Sequence, residues 1–120
     1  HKYMENKTID RFLSKMEKDI KEGVILAPEE WISRAIKLNA FIGSEIDEPL
    51  YLIENKLAKQ KAEMFKDLNM TASKANIYIE ATDEFMQTKL LRAKREQVRE
   101  FIKLAKKYAE AIKEEYKYTS

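Results

Sequence analysis

Between Ser73 and Lys117 the chain contains neither Gly nor Pro. That stretch constrains the fold more than any other feature. Nothing in it marks a turn, and its apolar residues recur at three- and four-residue spacing, the period of a helix face. At about 1.5 Å per residue such a helix spans roughly 65 Å, longer than a compact chain of this size. The rest of the sequence agrees, with two Gly and two Pro in 120 residues against 37% charged side chains. Sheets lean on Gly, Pro, Asn and Asp for their many turns. An all-α fold in one domain is therefore expected.

The same composition excludes most catalytic chemistry. Without Cys there is no disulfide framework, thiol nucleophile or Cys-based metal site, and the single His is residue 1. No phosphate-cradling Gly-rich loop, paired-His motif or nucleophile elbow occurs. Asp83 and Glu84 are neighbours on a helix and point apart. Glu45, Asp47 and Glu48 read as helix-start charges rather than a cation site. The expectation is a non-enzymatic protein without cofactor or metal. His1-Lys2-Tyr3 reads as the remnant of an affinity tag, with Met4 as the start of the domain. No run of about 18 apolar residues spans a membrane, so a cytoplasmic setting is expected.

Four helices are legible. Residues 4–22 form an N-terminal helix or arm whose face carries Ile9, Phe12, Leu13, Met16 and Ile20, closed by Gly23. Residues 27–120 make the helical core. Its first helix opens at Pro28-Glu29-Glu30 and carries Trp31, Ala35, Leu38 and Ile42, widened by Ile32, Ile36 and Phe41, so that it is buried on more than one side. Gly43-Ser44 ends it. Asp47 caps the next, with Pro49 in its first turn. From Ile46 through Leu50, Ile53, Leu57, Met64 and Leu68 runs a coiled-coil-like seam of about three heptads. Thr71 or Ser73 caps the long final helix. Its apolar register shifts from Ile79, Met86, Leu90 and Ala93 to Val98, Phe101, Ala105, Tyr108 and Ile112.

A helix too long for its own domain packs on another copy. The expected architecture is thus an elongated helical hairpin or bundle with coiled-coil-like packing in a homo-oligomer. Ile53, Leu57, Met64, Leu90, Val98, Phe101, Tyr108 and Ile112 are its interface.

Charge is segregated beneath a formal net of +2. Residues 22–54 hold seven acids against Arg34 and Lys37, a net of −5. Residues 88–107 hold Lys89, Arg92, Lys94, Arg95, Arg99, Lys103, Lys106 and Lys107 against Glu96 and Glu100, a net of +6. Lys56, Lys59, Lys61 and Lys66 add a lesser basic run. The stripe reads either as a solvated face, paired along its own helix or docked on acidic residues 45–54 of a neighbouring subunit, or as a track for phosphates. Among rings suited to base stacking, Tyr108 falls in the core stripe and Trp31 reads as a core anchor, while Tyr116 and Tyr118 are less constrained.

The order of features resembles the phage recombination mediators of the UvsY type. It comprises Trp31-Ile32-Ser33-Arg34-Ala35-Ile36-Lys37-Leu38-Asn39, then Leu52-Ile53-Glu54 leading to Lys59-Gln60-Lys61-Ala62. Thr82-Asp83-Glu84-Phe85 and Phe101-Ile102-Lys103-Leu104-Ala105-Lys106-Lys107 follow. The pattern covers about residues 27–113. The resemblance implies a helical, ring-forming protein that binds single-stranded DNA and loads a recombinase onto strands covered by single-strand-binding protein, both possible partners. The residues that carry the local charge, Lys56, Lys59, Lys61, Lys89, Arg92, Lys94, Arg95, Arg99 and Lys103, are the expected nucleic-acid contacts. The alternative is a protein-interaction module, an anti-defence inhibitor or assembly factor, acting without nucleic acid.

Overall fold

The computed structural model describes residues 7–119. Residues 1–3, read above as a tag remnant, and Met4 lie outside it, as do the side chains of Tyr116 and Tyr118. Within it every regular element is helical: α1 (Lys7–Lys21), α2 (Pro28–Phe41), a π-helical turn (Ile42–Asp47), α3 (Glu48–Asp67), α4 (Ala72–Glu80) and α5 (Asp83–Thr119). The molecule is a rod of 72 × 24 × 19 Å.

Pro28 opens α2 in the place where its missing N–H costs nothing, with Glu29 and Glu30 in the first turn. Gly23 ends α1 at φ +66°, a conformation open chiefly to glycine. Its N–H donates to the Ile20 carbonyl (3.2 Å), and the Val24 N–H donates to that of Asp19 (2.9 Å), the bonds of a Schellman cap.

Gly43-Ser44 does not end the second helix, and Asp47 does not cap a third. Asp47 has helical dihedrals and makes no side-chain cap bond. The chain runs helically from Pro28 to Asp67 through the π turn, where the Glu48 N–H reaches back five residues to the Gly43 carbonyl. The reason lies in the phase of the core. Trp31, Ala35, Leu38 and Ile42 form the first half of the buried stripe, and Ile46, Leu50, Ile53 and Leu57 the second. The second set falls one residue late for a regular three-four repeat. A π turn absorbs one extra residue, so both halves face the same way. It also comes just before Pro49, whose missing N–H leaves a carbonyl one turn back without its α-helical donor.

The final helix is not continuous from 73 to 117. It breaks at Ala81–Thr82, where the Thr82 hydroxyl donates to the Ile79 carbonyl (2.7 Å) and accepts from the Phe85 N–H (3.1 Å). Thr82 is a helix cap, and Asp83 and Glu84 supply the acidic first turn. Nor does the apolar register of α5 shift. Its inward positions run Thr88, Leu91, Arg95, Val98, Ile102, Ala105 and Ala109 at unbroken three-four spacing, all buried but the half-buried Arg95. Met86, Leu90 and Ala93 lie outside that line and are exposed. Two polar residues in the seam disguised it.

The rod Pro28–Asp67 and α5 pack antiparallel. Trp31 meets Tyr108 with ring centroids 5.0 Å apart, Asp47 meets Arg95, and Lys56 meets Glu84. The over-long helix thus finds an equally long partner within its own chain. α1 lies along the α2/α5 half, its Ile9, Leu13 and Met16 buried and Phe12 edge-on to Phe41 at 5.6 Å. At about 1.5–3 kcal/mol for each large apolar side chain buried, α1 is part of the core and not a loose arm. Ile36, expected to widen the buried face of α2, is 63% exposed. Leu68 lies beyond the end of the α3 seam and is equally exposed.

Candidate nucleic-acid interface

The acidic and basic blocks meet inside one chain. Lys94 donates to Asp10 of α1 at 2.6 Å, Arg95 to Asp47 at 3.2 Å, and Arg92 pairs with Glu54 of α3. Lys56 of α3 donates to Glu84 at the start of α5 (3.2 Å). The bond from its own backbone N–H holds the Glu84 carboxyl below the usual range, helped by Lys56. Four of the nine expected contacts are therefore spent tying α1, the π turn, α3 and α5 together. The docking expected with a neighbouring subunit is made within the chain.

The other five are placed differently. Arg99 pairs with Glu96 (3.1 Å) and Lys103 with Glu100 (3.3 Å), each on its own helix, with all four side chains at least half exposed. Lys89 holds its ammonium 5.0 Å from the Phe85 ring centre, and Lys61 is 5.9 Å from that of Phe65. Lys59 is exposed on α3. By helical spacing Lys89, Arg92, Glu96, Arg99, Lys103, Lys106, Glu110 and Lys113 form one outward flank of α5. Exposed same-helix pairs of this kind contribute about 0–1 kcal/mol and are easily broken.

Two expected contacts, Lys61 and Arg92, come together at a cavity of about 240 Å³ between α3, α4 and α5. Phe85, which sequence reasoning left without a role, lines it beside Asn76. The signal for Phe85 was its place three residues after Thr82, where its N–H meets the capping hydroxyl. A second cavity, of about 340 Å³, lies at the opposite end against Trp31, Tyr108 and Leu26. Tyr108 and Trp31 pack on each other there, as their core reading expects.

Sequence reasoning also missed the most enclosed ion pair. Arg34 donates to Asp19 at 2.5 Å, with side chains 15% and 6% exposed, and its guanidinium lies 5.2 Å from the Trp31 ring centre. The Arg34 bond holds the Asp19 carboxyl below its usual range against the opposing effect of burial. No sequence motif marks this pair, since fifteen residues and a loop separate its members.

The residues expected to form an oligomer interface serve mainly this chain's own core. Ile53, Leu57 and Val98 are buried in it, and Met64, Phe101, Tyr108 and Ile112 pack against it. Leu90 alone of the eight is exposed, at 43%. Most exposed large apolar side chains of the described residues lie on the half that α1 leaves uncovered, where Tyr51, Leu52, Phe65, Leu68, Ile77, Tyr78 and Met86 join Leu90; Val24, Ile25 and Ile36 are exposed on the other half. Among the described residues no group of three His, Cys, Asp or Glu could hold a metal, and no helix is long and apolar enough to cross a membrane. Compared with known proteins, the chain matches no family model, no curated protein and no solved structure.

Proposed function

We propose that the protein is a non-enzymatic, phage- or prophage-encoded accessory protein of the cytoplasm that assembles into a homo-oligomer. It holds single-stranded DNA along the outward flank of α5, in support of recombinase loading. The observation that carries this reading is the flank itself. Once Lys56, Arg92, Lys94 and Arg95 are engaged between helices, Lys89, Arg99, Lys103, Lys106 and Lys107 still face solvent, with Arg99 and Lys103 in weak pairs along their own helix. They span about 27 Å of helix. Repetition around an oligomer multiplies such a weak site.

The test is the salt dependence of binding to a fluorescent single strand. Affinity falls as salt rises, because each phosphate contact releases a counterion. Reversing Arg99, Lys103 and Lys106 to Glu lowers the log–log slope by about 2, at about 0.7 per phosphate contact on a single strand. No salt-sensitive retention at low ionic strength overturns the reading.

A specific observation favours a second reading. With four stripe cations satisfied internally and an apolar half left uncovered, the chain also suits a protein-interaction module that needs no nucleic acid. In that case the purified protein ignores the strand at every salt concentration.

A further inference from the structure

We infer that the cavity between α3, α4 and α5 is a nucleobase site, which seats one unpaired base of the strand whose phosphates run along α5. The inference rests on the single-strand reading above and names a place for the base. The cavity flanks the break between α4 and α5, with Ile79 and Glu80 on one side and Phe85 on the other. Leu57, Ile79 and the half-buried Phe85 ring give it an apolar wall. Around that wall stand Lys61 and Arg92 against Glu54 and Glu80.

Those four charges cancel, and Arg92 is already held by Glu54. A charge-balanced cavity does not draw in a phosphate, but it accepts an uncharged heterocycle with an apolar face and a polar edge. The Phe85 ring offers a stacking surface, and the Asn76 amide offers both a donor and an acceptor to a base edge. Thr88 is 1% exposed and its hydroxyl proton is committed to the Phe85 carbonyl at 2.6 Å, so it has no donor for the ligand. At about 240 Å³ the space suits one ring system and not a larger cofactor. Lys89, with its ammonium 5.0 Å from the Phe85 ring centre, puts a cation where the attached phosphate would lie.

The experiment titrates the full chain into an oligonucleotide carrying one 2-aminopurine, reading base fluorescence and affinity across a salt series. Ala58→Trp fills the cavity from an exposed wall position, and Asn76→Ala removes the edge contact from another. Circular dichroism checks that both stay helical. Ala58→Trp is expected to weaken binding about tenfold, the value of one stacked base, with the salt slope unchanged and the 2-aminopurine signal lost. Asn76→Ala is expected to weaken it about threefold, the loss of one neutral hydrogen bond. If the parent chain binds and both variants bind like it with the same fluorescence, the cavity serves something other than a base, such as a protein side chain. That result overturns this inference and leaves the flank standing. A variant that also lowers the salt slope overturns it too, since phosphates were then the loss. A parent chain without salt-sensitive binding removes both readings together.

Discussion

Asp19 and Arg34 show how one residue pair can fasten an element. Asp19 is the last buried residue on the inner face of α1, and the guanidinium it accepts from belongs to α2 and stacks on Trp31. Removing the Asp19 charge leaves Arg34 enclosed without its counter-charge, which destabilises more than losing an exposed pair; Asp19 itself also has Lys15 at 3.4 Å. The sign of the pH dependence follows. The folded carboxyl lies below its unfolded value of about 3.9. Its contribution is therefore complete above that value and is lost as pH falls through the lower folded value. Asp19→Asn should lower the urea midpoint at pH 7 and shrink the difference between pH 7 and pH 3 relative to the parent. An unchanged pH difference would mean the pair does not fasten α1.

At the level of the element, Thr82 decides where α4 stops and α5 starts. Its hydroxyl makes both cap bonds, so Thr82→Ala should cost about 1 kcal/mol in urea denaturation, while Thr82→Ser keeps most of it. An alanine variant as stable as the serine variant would assign the break to packing instead. This junction also shows what was legible in the sequence. Helix content, the Gly23 cap, the Pro28 start and the inner face of α1 follow from local chemistry, and the structure has them all. Breaks read from Gly, Ser and Pro held at Gly23 and Pro28 but failed at two other places. Gly43-Ser44 sits within a continuous rod because the core stripe needed one extra residue, and Thr82 interrupts a run with no Gly or Pro at all. The first depends on the phase of a stripe that runs from Trp31 to Leu57, longer than the window around Gly43, and the second on a Thr side chain that caps only when the chain turns there. The α5 seam was misread because Thr88 and Arg95 are polar: Thr88 is buried with its hydroxyl on the Phe85 carbonyl, and Arg95 turns inward to Asp47 of the π turn. The candidate site was legible as charge but not as pairing. Which cations face solvent depends on acids up to 84 residues away.

The whole molecule is unevenly clothed. α1 (Lys7–Lys21) lies along the α2/α5 half, while the shorter α4 (Ala72–Glu80) lies on the other half, which keeps most of the exposed large apolar side chains of the described residues in water. The proposed assembly has to use that half, because the heptad seam is consumed by the hairpin itself. Met86 and Leu90, 55% and 43% exposed one turn apart on α5, are the direct probes. Glu at both should change the stability of a single chain by no more than about 0.5 kcal/mol each, as surface substitutions do. At a subunit interface the same two charges must be desolvated unpaired, and the oligomer should fall apart. Light scattering on the double variant should then give the mass of one 14.2-kDa chain. Ile36→Glu is the control, since Ile36 is 63% exposed on the half that α1 covers and should leave the mass alone. A parent protein already monomeric at micromolar concentration, or an oligomer indifferent to both Glu residues, defeats the argument. Loss of mass with Ile36→Glu as well would move the interface to the α2 side.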